Sequence, residues 1–323
     1  MFPFSLILLM TITADQIKFR QGKIGASSMG QAIGRGYGTR TRAELYHQMK
    51  GHLPPVVETM AMRVGNFMEN FILDEYNRQT GRNAVPYPDT LVHPEEPRII
   101  CHCDGITMDH SRLIEIKNVG HRMHKAWGNG VPEYYWIQGC GQSMLSGIKK
   151  VDFAAYFGGN ELSVYEVEYT DEDHSALYDG LKDFLGYLDR DEEPPHTIAD
   201  LPNLDKYYKV TDAALYAGRD IMDDVVCLSQ MKQDIKITPD AKRIMDSCEF
   251  RIKEYMKDSS ILVGDDGDAL FTWKQSKDKE VVDWEGVAAS LMERHPPEEW
   301  NVAIKANTTV KPGNRTFLCK IKE

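Results

Sequence analysis

The chain has 323 residues, 42% of them hydrophobic and 27% charged, with 38 Lys and Arg against 49 Asp and Glu and a formal net charge of -11. That length buries a full core and leaves room for a second, smaller unit, and the composition is that of a folded globular protein rather than a disordered or fibrous one. The negative balance excludes a protein that coats nucleic acid with its whole surface, but not an enzyme with a local basic groove and a cation site.

The charge is unevenly spread. From Lys18 to Lys50 there are seven basic residues and one acid, Glu44, whereas Glu161 to Glu193 holds twelve acids and two bases. A DNA-facing front and an acidic back are expected from this asymmetry. None of the six cysteines forms a Cys-x-x-Cys pair, and no His pair completes a zinc site with them. Buried free thiols in a reducing cytoplasm are the expectation.

Met1 to Met10 is apolar but too short to span a bilayer. It lacks the basic start and small-residue cleavage site of a signal peptide. We take residues 1–17 as an N-terminal extension, with the natural start at Met10 and no membrane attachment. Small residues then lead into a helix beginning near Met29, for which Ser27 or Ser28 is the expected N-cap. A helix start with a hydroxyl and Arg20 nearby suits a phosphate, although an ordinary capped helix carries the same residues. A second helix is expected over Thr41 to Met49.

Val56 to Arg78 has the longest helical pattern, started by Pro54-Pro55 and stopped by Gly81. Met60, Ala61, Val64, Phe67, Met68, Phe71 and Ile72 recur at three and four and are expected to form its buried face. Glu69 borders that stripe, with Gly65 one turn before it. Arg98 to Thr107 and Leu113 to Val119 read as the two strands of a hairpin around a polar turn, Met108 to Arg112. Side chains alternate along a strand, so Glu115 and Lys117 share one face and Ile114 and Ile116 the other. The hairpin brings Asp104 beside Glu115. Two carboxylates and a lysine on one face suit a hard divalent cation, although Glu-x-Lys alone also fits a solvated ion pair and Asp-Gly a simple turn.

Pro132 opens a helix to Gly147 that places Tyr135, Gln138 and Gln142 on one face. Its Gly139 and Gly141 each cost ~1 kcal/mol in helix propensity, which implies close packing against the sheet. A second hairpin, Val151 to Phe157 and Leu162 to Tyr169, turns at Gly158-Gly159-Asn160, and Asp171 to Asp189 is an amphipathic helix. Asp191 to Pro195 is a linker. Beyond it we expect helices over Asp212 to Asp234 and Pro239 to Lys257, a strand from Ala269 to Lys274, a helix from Trp284 to Glu293 and a strand from Arg315 to Ile321. Trp273, Trp284 and Trp300 are either core or a docking surface.

Five motifs stand in order: Arg20-x-Gly-x-Ile-x-Ala-Ser27, Gly65-x-x-x-Glu69, Asp104-Gly105, Leu113-Ile114-Glu115-Ile116-Lys117 and Tyr135-x-x-Gln138. Over Lys18 to Arg190 the chain resembles the YqaJ-type viral recombinase family, which includes phage lambda exonuclease, within the PD-(D/E)XK nuclease superfamily. Cys103 replaces a proline frequent in that family, and Cys140 a second glutamine. The resemblance implies an α/β nuclease core, a central mixed β-sheet flanked by helices, over residues 18–193, with a smaller α+β region over 194–323. It implies that Asp104, Glu115 and the Ile116 carbonyl hold Mg²⁺, with Mn²⁺ able to substitute, and that Glu69 helps bind a second metal or its water. Lys117 and Gln138 would position the nucleophile. Arg20, Ser27, Ser28 and Tyr135 would bind the 5′-phosphate and DNA.

The activity so implied is 5′-to-3′ digestion of linear double-stranded DNA, leaving 3′ single strands for a single-strand annealing protein. The family likeness also implies a homotrimer and a phage or prophage product in the bacterial cytoplasm. A PD-(D/E)XK endonuclease of restriction or repair type and a catalytically inactive DNA-end-binding protein are the alternatives.

Overall fold

The computed structural model describes residues 22–38, 40–54, 59–120, 123–158, 161–233, 238–291, 300–311 and 313–320. The extension over 1–17, the start at Met10, Arg20 and the turn at Gly159-Asn160 lie outside them. The chain divides into two units, Met1–Asp200 and Leu201–Glu323.

The principal elements of the first unit are β1 (Ile24–Gly25), α1 (Ala26–Ala32), α2 (Arg42–Met49), α3 (Met60–Thr80), β2 (Ala84–Pro86), β3 (Thr90–Val92), β4 (Ile99–His102), β5 (Gly105–Thr107), β6 (Leu113–Asn118), α4 (Glu133–Ser146), β7 (Lys150–Tyr156), β8 (Leu162–Glu168) and α5 (Asp171–Arg190). A five-stranded sheet runs β2-β5-β6-β7-β8, and a smaller one β1-β4-β3. β5 and β6 form an antiparallel hairpin, β6 and β7 pair in parallel, and β7 and β8 pair antiparallel. A parallel pair needs a crossover connection, and α4 lies within it.

Threonines open three described helices of the first unit. The side chains of Thr41, Thr59 and Thr170 accept from the amides of Glu44, Met62 and Asp173, each satisfying a backbone donor of the first turn. Thr59 caps α3 at Met60, and the expected start over 55–58 lies outside the described residues. Gly81 and Gly147 close α3 and α4 at φ 69° and 75°, the left-handed conformation that glycine adopts at least cost. Helix α1 departs from expectation. Its cap is Gly25, without a side-chain bond, and Ser27 and Ser28 lie within the helix.

Each face of the larger sheet is covered. On one side Leu113, Val151 and Phe153 share a core with Met29 of α1, Ile137 of α4 and Leu177, Leu181 and Phe184 of α5. On the other, Ile114, Ile116 and Ala154 pack with Ile72, Leu73 and Tyr76 of α3. The expected buried stripe of α3 is thus wrong over most of its length. Met60 and Phe67 are each 72% exposed, and Val64 and Phe71 are also exposed. Only the C-terminal half of the helix packs on the sheet. Beneath it Asp152 is fully buried and accepts from Tyr76 Oη at 2.6 Å and Arg112 Nη1 at 2.7 Å, with Arg82 completing its shell.

The second unit is α+β. Strands Ala214–Tyr216, Ile261–Val263, Ala269–Gln275 and Arg315–Cys319 form one sheet, and helices Arg219–Gln233 and Pro239–Met256 share its core through Val225, Leu228 and Ile252. The expected helix from Asp212 thus begins as a strand, because Ala214–Tyr216 pairs in parallel with Ile261–Val263. Trp273 is buried in this core and Trp284 is exposed. Five described segments of this unit without a sequence expectation are regular: Leu204–Tyr207, Ile261–Val263, Lys279–Val282, Trp300–Ala306 and Thr308–Lys311.

Candidate active site

The site is built around the break between β4 and β5. Arg98 to Thr107 was expected to be one strand, but it is two strands in different sheets, with Cys103 and Asp104 between them. The β5–β6 ladder ends at Gly105 opposite Ile114. Beyond it Asp104 Oδ2 accepts the Ile116 amide at 2.7 Å. A side-chain carboxylate thus takes the donor that a continued strand would have used. Gly105 is needed here, since a Cβ would meet Leu73 Cδ1 and the Val85 carbonyl at 3.2 Å.

Glu115 and Lys117 share a face of β6, as a period of two requires. Glu115 is 2% exposed. Its Oε1 accepts from Lys117 Nζ and, at 2.6 Å, from Gln138 Nε2. Lys117 Nζ also donates to Gln138 Oε1 at 3.1 Å, so Glu115, Lys117 and Gln138 close a ring of hydrogen bonds. Gln142, one turn further along α4 and fully buried, donates to Glu115 Oε2 and to the His102 carbonyl. It ties the glutamate to the end of β4, next to Asp104. Gln142 was placed on the correct helix face by sequence but not among the site residues. Its i+4 spacing from Gln138 was the available signal, and what it faces was not readable.

Electrostatics show a site short of positive charge. Burial pushes the Asp104 carboxyl well above its ordinary range, and Glu115 and Glu69 push it further. Burial and then Glu115 also raise Glu69 on α3. Lys117 is raised as well: burial disfavours the ammonium, but Glu115 and Asp104 outweigh it. Three carboxylates stand to one lysine, and Glu115 raises both Asp104 and Glu69. A hard cation would balance this donor set, and oxygen ligands of this kind suit Mg²⁺ or Mn²⁺.

Of the remaining expected residues, Arg20 lies outside the described residues. Tyr135 lies under Lys117, with the Nζ 4.7 Å from its ring centroid. Ser27 is exposed and Ser28 half-buried. The basic front is also partly neutralised, because Arg35 pairs with Glu133, Arg42 with Asp183 and Lys50 with Asp191. The last two partners belong to the acidic stretch that was expected on the opposite side.

A mixed sheet, an aspartate at the hairpin entry, Glu-x-Lys on the next strand and a helix glutamine beside them make a mixed α/β unit with the residue order expected of the PD-(D/E)XK type. More narrowly, residues 16–149 match the family model described as the YqaJ-like viral recombinase domain. Protein YqaJ of Bacillus subtilis (strain 168), itself uncharacterized, is 26% identical over 137 residues, 41% of this chain and 43% of that protein. The chain therefore spans less than half the length of this relative. Among solved structures, the alkaline exonuclease of Laribacter hongkongensis is 22% identical, covering 55% of this chain and 94% of that one, with a TM-score of 0.48. A phage related exonuclease from Haemophilus somnus 129PT is 12% identical, covering 52% and 94%, with a TM-score of 0.40. No helix among the described residues is long and apolar enough to cross a membrane.

Proposed function

We propose that this chain is a Mg²⁺-dependent 5′-to-3′ exonuclease on linear double-stranded DNA that exposes 3′ single strands for an annealing protein. The observation that carries this reading is that buried Glu115 shares one face of β6 with Lys117 while Asp104 reaches the Ile116 amide between them, with one lysine to balance the two carboxylates. Asp104, Glu115, the Ile116 carbonyl and Glu69 would hold the ion. Bound there, it would supply a water of lowered pKa and neutralise charge on the scissile phosphate.

The protein's own groups do the rest. Two of the three Lys117 protons go to Glu115 and Gln138, which aims the third at an incoming water or phosphate oxygen. Because the ammonium is held protonated by Glu115 and Asp104, it can stabilise the extra negative charge of the pentacovalent state. Gln138 keeps lysine and glutamate in one geometry, and Gln142 fixes the second oxygen of the glutamate. Arg20, Ser27 and Ser28 are proposed for the terminal 5′-phosphate, and Tyr135 acts from beneath Lys117. A homotrimer in the cytoplasm of a phage-bearing bacterium is the setting this reading implies.

The test uses linear duplexes labelled at the 5′ or 3′ end, with a closed circular duplex beside them, in Mg²⁺. The 5′ label should be released first, 5′-phosphorylated ends should be preferred over 5′-hydroxyl ends, and the circle should stay intact. Cutting of the circle would instead make the protein an endonuclease. Binding of ends without any turnover would make it an end-binding protein.

A further inference from the structure

Two histidines and a glutamate, none of them among the residues of the carboxylate site, converge in the first unit. His47 lies near the C-terminal end of α2, and Glu193 and His196 lie in the segment after α5. His47 Nε2 is 2.5 Å from Glu193 Oε1, although the two residues are 146 positions apart, and His196 Nε2 approaches the same oxygen at 2.5 Å. The His47 and His196 side chains are 7% and 5% exposed and that of Glu193 is 35% exposed. All three ligand atoms lie within 4.8 Å of one another. On its other side, His47 Nδ1 is 3.0 Å from His52 Nδ1.

We infer that His47, His196 and Glu193 form a transition-metal site of the zinc type, separate from the carboxylate site and independent of the nuclease reading. Two imidazoles and a carboxylate are a usual three-residue set for Zn²⁺, with water in the fourth place. Imidazole binds a metal as the neutral ring, through a nitrogen that carries no proton. His52 meets that need for His47. Without a metal, His47 Nε2 and His196 Nε2 each donate a proton to the same Glu193 oxygen; a metal would take the place of those protons, with His47 then carrying its proton on Nδ1 toward His52. Ligands of a tetrahedral zinc at ~2.1 Å stand about 3.4 Å apart, so Glu193 has to stand back from each imidazole by under ~1 Å. Glu193, the most exposed of the three, is the side chain that can move.

The site has a mechanical setting. Residues 191–200 lie against α2 at several points: Tyr46 Oη donates to Asp191 at 3.3 Å, and buried Asp200 accepts from Thr41 Oγ1 and from the Thr197 amide at 2.8 Å. A metal at the trio would clip this last segment of the unit onto the helix. Fixing it in this way makes the ion a structural ligand of the folded state, so it raises thermal stability by mass action.

The full chain, stripped with EDTA and dialysed, is titrated with Co²⁺ in excess Mg²⁺, which occupies the carboxylate site. One equivalent of Co²⁺ should bind with the visible absorption of a tetrahedral N/O site, and Zn²⁺ should displace it. His196→Ala should weaken Co²⁺ binding at least 100-fold, His52→Ala about 10-fold, and Asp104→Asn should leave it unchanged. Glu193→Gln keeps the shape of the side chain, and it should lose the absorption with its circular dichroism unaltered, which covers the case in which His196→Ala does not fold. Absence of Co²⁺ binding in the parent would overturn the proposal, as would stoichiometric binding that survives both His196→Ala and Glu193→Gln. Loss of binding in Asp104→Asn would assign the ion to the carboxylate site and overturn it equally.

Discussion

At the scale of single residues, Asp104 carries a cost that the fold tolerates. Its carboxyl is raised by burial and by Glu115, Glu69 adding to the shift, so the folded state binds its proton more tightly than the unfolded chain does. Stability contributed through this group therefore falls as pH rises from the ordinary carboxylate range through the raised value, and the penalty is complete above it. Asp104→Asn should stabilise the protein at neutral pH without divalent ions, by at least ~2 °C in Tm, the scale of about 1 kcal/mol in a unit of this size. The gain should vanish in acid, and Mg²⁺ should raise the Tm of the parent but not of the variant. Thermal unfolding at pH 4 and pH 8, with and without Mg²⁺, checks this. Gln142 acts through Glu115 as a positioning residue. Gln142→Ala leaves a buried carboxylate oxygen without its amide donor, which should cost about 1–3 kcal/mol in urea unfolding. It should lower kcat roughly 10-fold, as ~1.4 kcal/mol of lost positioning would, while leaving KM for DNA near the parent value. An unchanged kcat would remove Gln142 from the site.

Helix α4 shows at the element scale how two physical preferences compete. Gly139 weakens the helix, yet a Cβ there would stand 2.5 Å from Phe153 Cζ and 2.6 Å from Tyr169 Oη. Alanine would gain ~1 kcal/mol of propensity and meet an overpacking cost of about 1–3 kcal/mol. Gly139→Ala should therefore destabilise the fold, and a stabilised variant in urea titration would show that the helix is not packed this closely. The sheet contact was readable from the two glycines, but Gly141 faces Met29 of α1 rather than a strand. Glu115, Lys117 and their shared face followed from strand alternation, and the hairpin placed Asp104. What periodicity could not say is which side of an element is covered. Helix α3 is apolar around much of its circumference, so spacing alone favoured Phe67 and Val64 over Tyr76. Pairing partners decide equally outside the local sequence, which is why residues 214–216 form a strand where a helix was expected.

For the whole molecule, composition bounded the outcome better than it located it. The basic stretch and the acidic stretch are distinct in the chain, but Arg42 and Lys50 meet Asp183 and Asp191 in the fold. Charge runs along the sequence thus did not become opposite faces at these positions. The His47, Glu193 and His196 cluster was invisible for the same reason, since its members are brought together only by the return of the chain onto α2. In the proposed function the activity depends on a cation held by Asp104 and Glu115 with Lys117 alongside, and release of acid-soluble nucleotides from linear duplex DNA tests that directly. With Mg²⁺ the parent should digest the duplex, EDTA should stop it, and Lys117→Ala should lower the rate by at least ~10²-fold while its circular dichroism stays that of the parent. Equal rates for the parent and Lys117→Ala, or digestion that continues in EDTA, would contradict the account.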